Sequence, residues 1–190
     1  NNWVASTLDW SSKTGGTAIV VLKAPRQLLL YQHGKPHRRF SIELGFSGLQ
    51  DKLQEGDGAT PEGQFRILHK KGPGATKFHK ALLLNYPTRE HRRRFQEAKV
   101  RGVLTANRAI GSLIEIHGQQ PNGNNTTNGC IALENADMDV VFQLAQEGTP
   151  VTVVGAVQSD NWVVNALHNI TEHARHRIAL TTESGSVLNR

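Results

Sequence analysis

The chain of 190 residues is 37% hydrophobic and 20% charged, a globular composition with enough length for one cored domain and a small appendage. No apolar run approaches the ~20 residues that cross a bilayer, so no transmembrane segment is expected. The net charge of +6 suits an anionic partner, while a single cysteine excludes both a disulfide framework and a four-thiolate metal site.

In chain order, residues 1–16 read as an N-terminal lead-in. Three short β-prone runs follow, Thr17–Lys23, Arg26–Gln32 and Arg39–Leu44, with Pro25 and Gly34 as turn residues between them. "GQFRILHK" and "KALLLNY" continue the pattern, and "GSLIEIHG" forms a later strand ending at His117. Short strands with Gly/Pro punctuation predict a mainly β sandwich or barrel. One core helix is expected, capped by Asn135, with Asp137 and Asp139 at its positive end. Met138, Val141, Phe142 and Ala145 recur along it at helical spacing. Gly148 stops this helix, and Thr149–Gly155 returns as a strand. Beyond Gly155, Ser159 or Asp160 can cap an additional C-terminal helix with an apolar stripe of Val163, Ala166, Leu167, Ile170 and Ala174. The expected division is a lead-in over 1–16, a core over 17–155, and a helical extension with a polar tail over 156–190.

Two basic runs, Arg89–Phe95 and His33–Phe40, lack the interleaved aromatics of single-strand binding. No zinc-finger spacing or recognition helix accompanies them. They read as solvated faces, and no nucleic-acid partner is expected. His168, Glu172 and His176 recur every four residues on the terminal helix, a spacing that can hold zinc. With no third or fourth ligand position evident, a solvated polar face accounts for them better and no metal is expected.

The informative stretch is "IHGQQPNGNNTTNGCIAL". His117 ends an apolar strand, and Cys130 follows thirteen positions later across an almost wholly polar segment. If that segment folds back, the imidazole meets the thiol, which is what nucleophilic catalysis by cysteine requires. Gly129 lets the backbone turn sharply beside the sulfur. Consecutive amides of Asn128, Gly129 and Cys130 can face a developing oxyanion. The carbonyl of Gly118 is a candidate acceptor for the imidazole nitrogen turned away from sulfur. Spacing alone leaves open a His and a Cys that pack without reacting. Asp57, between Gly56 and Gly58 and ahead of Thr60-Pro61, reads as a turn residue rather than an acid catalyst.

The same residues resemble the signature of the L,D-transpeptidase catalytic domain, the YkuD-like family. That signature is a strand ending in His-Gly, then Ser/Thr-x-Gly-Cys and an aliphatic residue, here His117-Gly118 and Thr127-Asn128-Gly129-Cys130-Ile131. "VLKAPRQLLLY", "GDGATPEGQFRI", "FHKALLLNYP" and "ALENADMDVVFQLAQEGTPVTVV" are similar to further family blocks, in the family's order, from about Thr17 to Gly155. The resemblance implies a mostly β domain with one packed helix and no cofactor. It implies Cys130 as nucleophile, His117 as base, Gly118 as its orienter, and the amides of Asn128 to Cys130 as oxyanion hole. Thr127, His79 and Tyr86 would contact substrate. The implied partners are a peptidoglycan stem tetrapeptide, which acylates the sulfur and loses D-alanine, and an amine acceptor that resolves the thioester. Water as acceptor would make an L,D-carboxypeptidase, and a non-catalytic wall-binding module is a further alternative. Many members carry an arginine two residues after the cysteine, where this chain has Ala132. Arg66, Lys77 or His79 would then have to meet a substrate carboxylate. Such an enzyme is expected in the cell envelope or periplasm, its export signal trimmed from this chain; a recycling carboxypeptidase would be cytosolic. Oligomeric state is not legible in the sequence.

Overall fold

The computed structural model describes residues 2–119 and 127–155. The terminal helix expected beyond Gly155, with His168, Glu172 and His176, lies outside the described residues, as do residues 120–126 of the polar stretch between His117 and Cys130.

Eight strands form one curled mixed sheet: β1 (Ala18–Leu22), β2 (Gln27–Gln32), β3 (Lys35–Ser41), β4 (Gly63–Lys71), β5 (Ala81–Leu84), β6 (Glu115–His117), β7 (Ile131–Ala132) and β8 (Pro150–Val154), in the order β3-β2-β1-β8-β4-β5-β6-β7. The mainly β architecture expected from the strand pattern is therefore present. β1 and β2 are nearly continuous apolar runs because both of their faces are covered. Ile19, Val21, Leu28 and Leu30 enter the main core with Phe65, Ile116, Ile131 and Val151. Val20, Leu22, Leu29 and Tyr31 face the other way, onto a helix α1 (Trp3–Thr14). His33 and Gly34, both at positive φ, make the two-residue turn that suits the twist of the β2–β3 hairpin. This hairpin starts β3 earlier than the expected Arg39. Past β3 the chain leaves its edge and bridges the far edge, pairing Glu43 with Ala132 and Gly45 with Thr127. The sheet curls toward closure around the main core, and β7 is held from both sides.

Two helices depart from the sequence reading. The lead-in is α1, which buries Val4, Thr7 and Ser11 against the sheet. Thr7 shares a 2.7 Å hydrogen bond with the buried Thr152 of β8. The run Arg89–Phe95 opens α2 (Arg89–Val100), whose buried residues are His91, Phe95 and Ala98. The expected core helix is α3 (Asn135–Leu144). Its cap is Glu134 rather than Asn135, because the Asn135 carboxamide oxygen instead accepts the Gln119 N–H at 2.9 Å.

One buried cation fixes the loop beneath the site. Lys23 is fully buried, and its ammonium donates to the carbonyls of Gln50 at 2.6 Å and Thr60 at 2.9 Å and to Glu62 Oε1 at 3.1 Å. All three ammonium hydrogens have acceptors, which is what makes an interior charge tolerable.

Candidate active site

β6 and β7 run parallel with Ile116 opposite Ile131 and His117 opposite Ala132. The two isoleucines point into the core. Strand alternation then turns Glu115, His117, Cys130 and Ala132 to the other face. Carried back one residue, the same register sets Cys130 level with Glu115, diagonal to His117. Across the neighbouring strands, one row reads Lys71, Ala81, His117, Ala132.

His117 is 1% exposed, stacked on Phe78 with ring centroids 3.6 Å apart and planes 11° from parallel. Its Nδ1 lies 2.7 Å from the Gly118 carbonyl, which can only accept, so Nδ1 carries the proton and Nε2 keeps the lone pair. Burial holds the imidazole below its ordinary pKa; the Gly118 carbonyl and the Glu115 carboxylate oppose that and Lys77 adds to it. The neutral ring with Nε2 unprotonated is the form a general base needs.

Gly118 sits where a larger residue would not fit. A Cβ there would come within 2.7 Å of Asn135 Oδ1 and 3.0 Å of His79 Cβ. The His79 ring in turn pairs with Asp139 at 2.7 Å, beside Lys80 on the same carboxylate at 2.6 Å. His79 thus joins the segment leading into β5 to α3 and walls in Gly118.

The turn before Cys130 is equally tight. Gly129 has φ +126°, and a Cβ on it would lie 2.5 Å from the Ala59 carbonyl. The Thr127 hydroxyl donates to the Cys130 carbonyl at 2.7 Å and accepts the Gly129 N–H at 3.3 Å. Gly129's amide is therefore engaged within the turn. The N–H groups of Asn128 and Cys130 meet no acceptor among the described residues.

The thiol does not engage the imidazole. Cys130 Sγ donates to the Leu113 carbonyl at 3.5 Å, and no hydrogen bond joins it to His117 among the described residues. Burial pushes the thiol pKa up to about 11; the Glu115 amide, Lys77 and Lys52 pull it down and the Glu115 carboxylate pushes it further up. The resting sulfur is a neutral thiol, not half of an ion pair. It borders a cavity of 290 Å³ lined by Lys52, Glu55, Gly111, Leu113, Asn128 and Cys130, among others.

Of the remaining residues singled out in the sequence, Tyr86 is a core residue. It is packed beside Phe65 and His91, and its hydroxyl donates to the Ile110 carbonyl at 3.1 Å. Arg66 donates to the Gly148 carbonyl and lies over Trp10, away from the cavity. Lys77 is exposed, over the Phe78 ring, with its charge acting on both His117 and Cys130. Asp57 is a turn residue. Burial raises its pKa, but Lys52 and the amides of Gln54, Ala59 and Leu53 outweigh that and hold it low. Sequence reasoning missed Leu113, Glu115 and Lys52. Only the position of Glu115, two residues before His117 on the same strand, was a signal. Among the described residues, no cluster of His, Cys, Asp and Glu could hold a metal ion.

Among curated proteins, no sequence matches the chain. The fold is similar to that of Bdellovibrio bacteriovorus Bd1075, with a TM-score of 0.56 and 17% identity over 84% of this chain and 55% of that one. It is also similar to the helical cell shape determining protein Pgp2 from Campylobacter jejuni, with a TM-score of 0.54 and 25% identity over 78% of this chain and 54% of that one. The chain thus spans about half the length of these structures. The family model of the L,D-transpeptidase catalytic domain, YkuD, matches residues 16–153, nearly the whole curled sheet with the His117 and Cys130 strands inside it, and the chain belongs to that family.

Proposed function

We propose that the chain is a cysteine acyltransferase acting on peptidoglycan stem tetrapeptides in the cell envelope. The observation that carries the reading is a neutral, tautomer-fixed His117 one strand away from Cys130 and on its face, with the sulfur opening onto a cavity. A stem peptide entering that cavity brings its third-residue carbonyl to the sulfur. Nε2 of His117 takes the thiol proton as sulfur attacks, and the N–H groups of Asn128 and Cys130 receive the oxyanion. Collapse of the tetrahedral species breaks the amide bond. The imidazolium returns the proton to the departing D-alanine nitrogen, leaving a thioester on Cys130. An acceptor amine then attacks the thioester and loses its proton to His117, which restores the thiol.

Lys77 supplies the cation for the D-alanine carboxylate. The exposed side chain and the reach of its charge to both reacting groups support it over Arg66, which is committed to Gly148, and over His79, which is committed to Asp139. Ala132, directly opposite His117, supports a second reading. Without the arginine that many members carry there, water can resolve the thioester in place of an amine, and hydrolysis would make the protein an L,D-carboxypeptidase. Incubation with a purified tetrapeptide muropeptide, with and without an amine acceptor, separates the two by mass. Transfer predicts a cross-linked or amine-exchanged product; D-alanine loss alone in both tubes discards it for hydrolysis. No turnover in either tube refutes the acyltransferase.

A further inference from the structure

Leu113 is a leucine in the left-handed region, at φ +59°, where a side chain of its size is unfavourable. It is also 64% exposed, so apolar burial does not offset that conformation. Strain retained by an exposed residue at a cavity points to what the backbone does there. Here it turns the Leu113 carbonyl to Cys130 Sγ, 3.5 Å away, within the cavity that both residues line. Gly111, two residues earlier, is also at positive φ, so the approach to this carbonyl is a tight local bend.

We propose that Leu113 is a positioning residue: its carbonyl holds the resting thiol away from His117, and a bound donor peptide frees the sulfur by giving that carbonyl a peptide N–H instead. This rests on the acyl-transfer reading for the identity of the donor, but the resting clamp does not. A hydrogen bond from the thiol to a carbonyl favours the protonated form, and an amide N–H is a stronger donor than S–H. Filling the cavity therefore exchanges a weak bond for a better one. Released, the sulfur turns about its Cα–Cβ bond toward Nε2, and proton transfer follows. An empty site keeps a protonated thiol, which is a poor nucleophile toward stray electrophiles and oxidants.

The chain has one cysteine, so its infrared S–H stretch is a single band belonging to Cys130. In the resting protein at neutral pH that band is expected at the lowered frequency of a hydrogen-bonded thiol. Leu113→Gly, which adopts positive φ freely, keeps both the band and the pH profile of alkylation by iodoacetamide. Leu113→Val, a β-branched residue that resists positive φ, moves the carbonyl. It raises the alkylation rate at neutral pH by about fivefold, the scale of one lost hydrogen bond. An S–H band at the free-thiol frequency in the parent protein, or no S–H band because the thiol is ionised, overturns the clamp whether or not either variant folds. Identical alkylation profiles in a folded Leu113→Val protein overturn it as well. Neither measurement involves a muropeptide, so failure of the clamp and failure of the acyltransferase reading are distinguishable.

Discussion

Gly129→Ala tests whether the turn that delivers Cys130 is as tightly enclosed as its contacts indicate. The added methyl would lie 2.5 Å from the Ala59 carbonyl and 3.3 Å from Ile114 Cδ1. Ala59 cannot easily withdraw. Its N–H is held by Asp57 Oδ1 at 3.0 Å, and the next carbonyl, on Thr60, is held by the buried ammonium of Lys23. Backbone strain at φ +126° costs about 1–3 kcal/mol and overpacking a similar amount, so the expected loss is about 3–5 kcal/mol. At ~2–4 °C per kcal/mol for a domain of this size, Tm should fall by roughly 10–15 °C. Gly148→Ala is the internal control. Gly148 is also at positive φ, +84°, but nothing lies within 4 Å of where its Cβ would be. That variant isolates the backbone cost, about 1 kcal/mol, or a few degrees. Thermal unfolding followed by circular dichroism gives both numbers, and intact-mass acylation shows whether Cys130 is still delivered. Equal Tm losses in the two variants would refute the enclosure argument. An unshifted Gly129→Ala protein with normal acylation would refute it altogether.

Cys130→Ala should abolish muropeptide turnover and the covalent carbapenem adduct seen by intact mass, with Tm within a few degrees of the parent; retained turnover sinks the nucleophile assignment. Because burial holds His117 below the ordinary imidazole pKa, the base is neutral at neutral pH. kcat/KM should therefore rise with pH along a limb lying below the usual histidine range and be flat through neutrality. Glu115→Gln removes the carboxylate that raises both groups, so that limb should move to still lower pH. Lys77→Ala should raise KM for the tetrapeptide about fivefold, the scale of a solvated charge contact of roughly 1 kcal/mol, and slow alkylation of Cys130; an unchanged KM removes it as the carboxylate partner. Lys23→Met leaves two carbonyls and Glu62 without their donor and should cost about 3 kcal/mol in urea unfolding, without altering the pH profile.

What was legible in the sequence follows from how each element is stabilised. β1, β2 and β8 announce themselves because they are buried on both faces and their sequences are apolar throughout. α1 was hidden because two of its three buried positions are Thr7 and Ser11, which hydrogen-bond to Thr152 and to the Gly16 carbonyl instead of forming an apolar stripe. α2 was masked by charge. Its inward spacing of His91, Phe95 and Ala98 is helical, but arginines surround it and the run reads as a solvated patch. Tyr86 was misplaced because an aromatic after an apolar run gives no indication of which face it takes. Here it turned into the core beside Phe65.

The site divides along a different line. His117 and Cys130 stood out because their chemistry depends on the side chain, and a histidine and a lone cysteine flanking a polar loop leave a trace in composition. The groups that meet them are backbone carbonyls: Gly118 O fixes the tautomer and Leu113 O accepts the thiol hydrogen. Every residue has a carbonyl, so nothing in the letter at position 113 reveals which way its carbonyl points. Only backbone conformation does, and a leucine at positive φ is the least expected occupant of that conformation. The thiol's raised pKa belongs with this set. The sequence suggested a sulfur ionised by its histidine, whereas burial and a neighbouring carbonyl keep the proton in place. Under the clamp proposed above, ionisation in this site is an event that the incoming peptide causes.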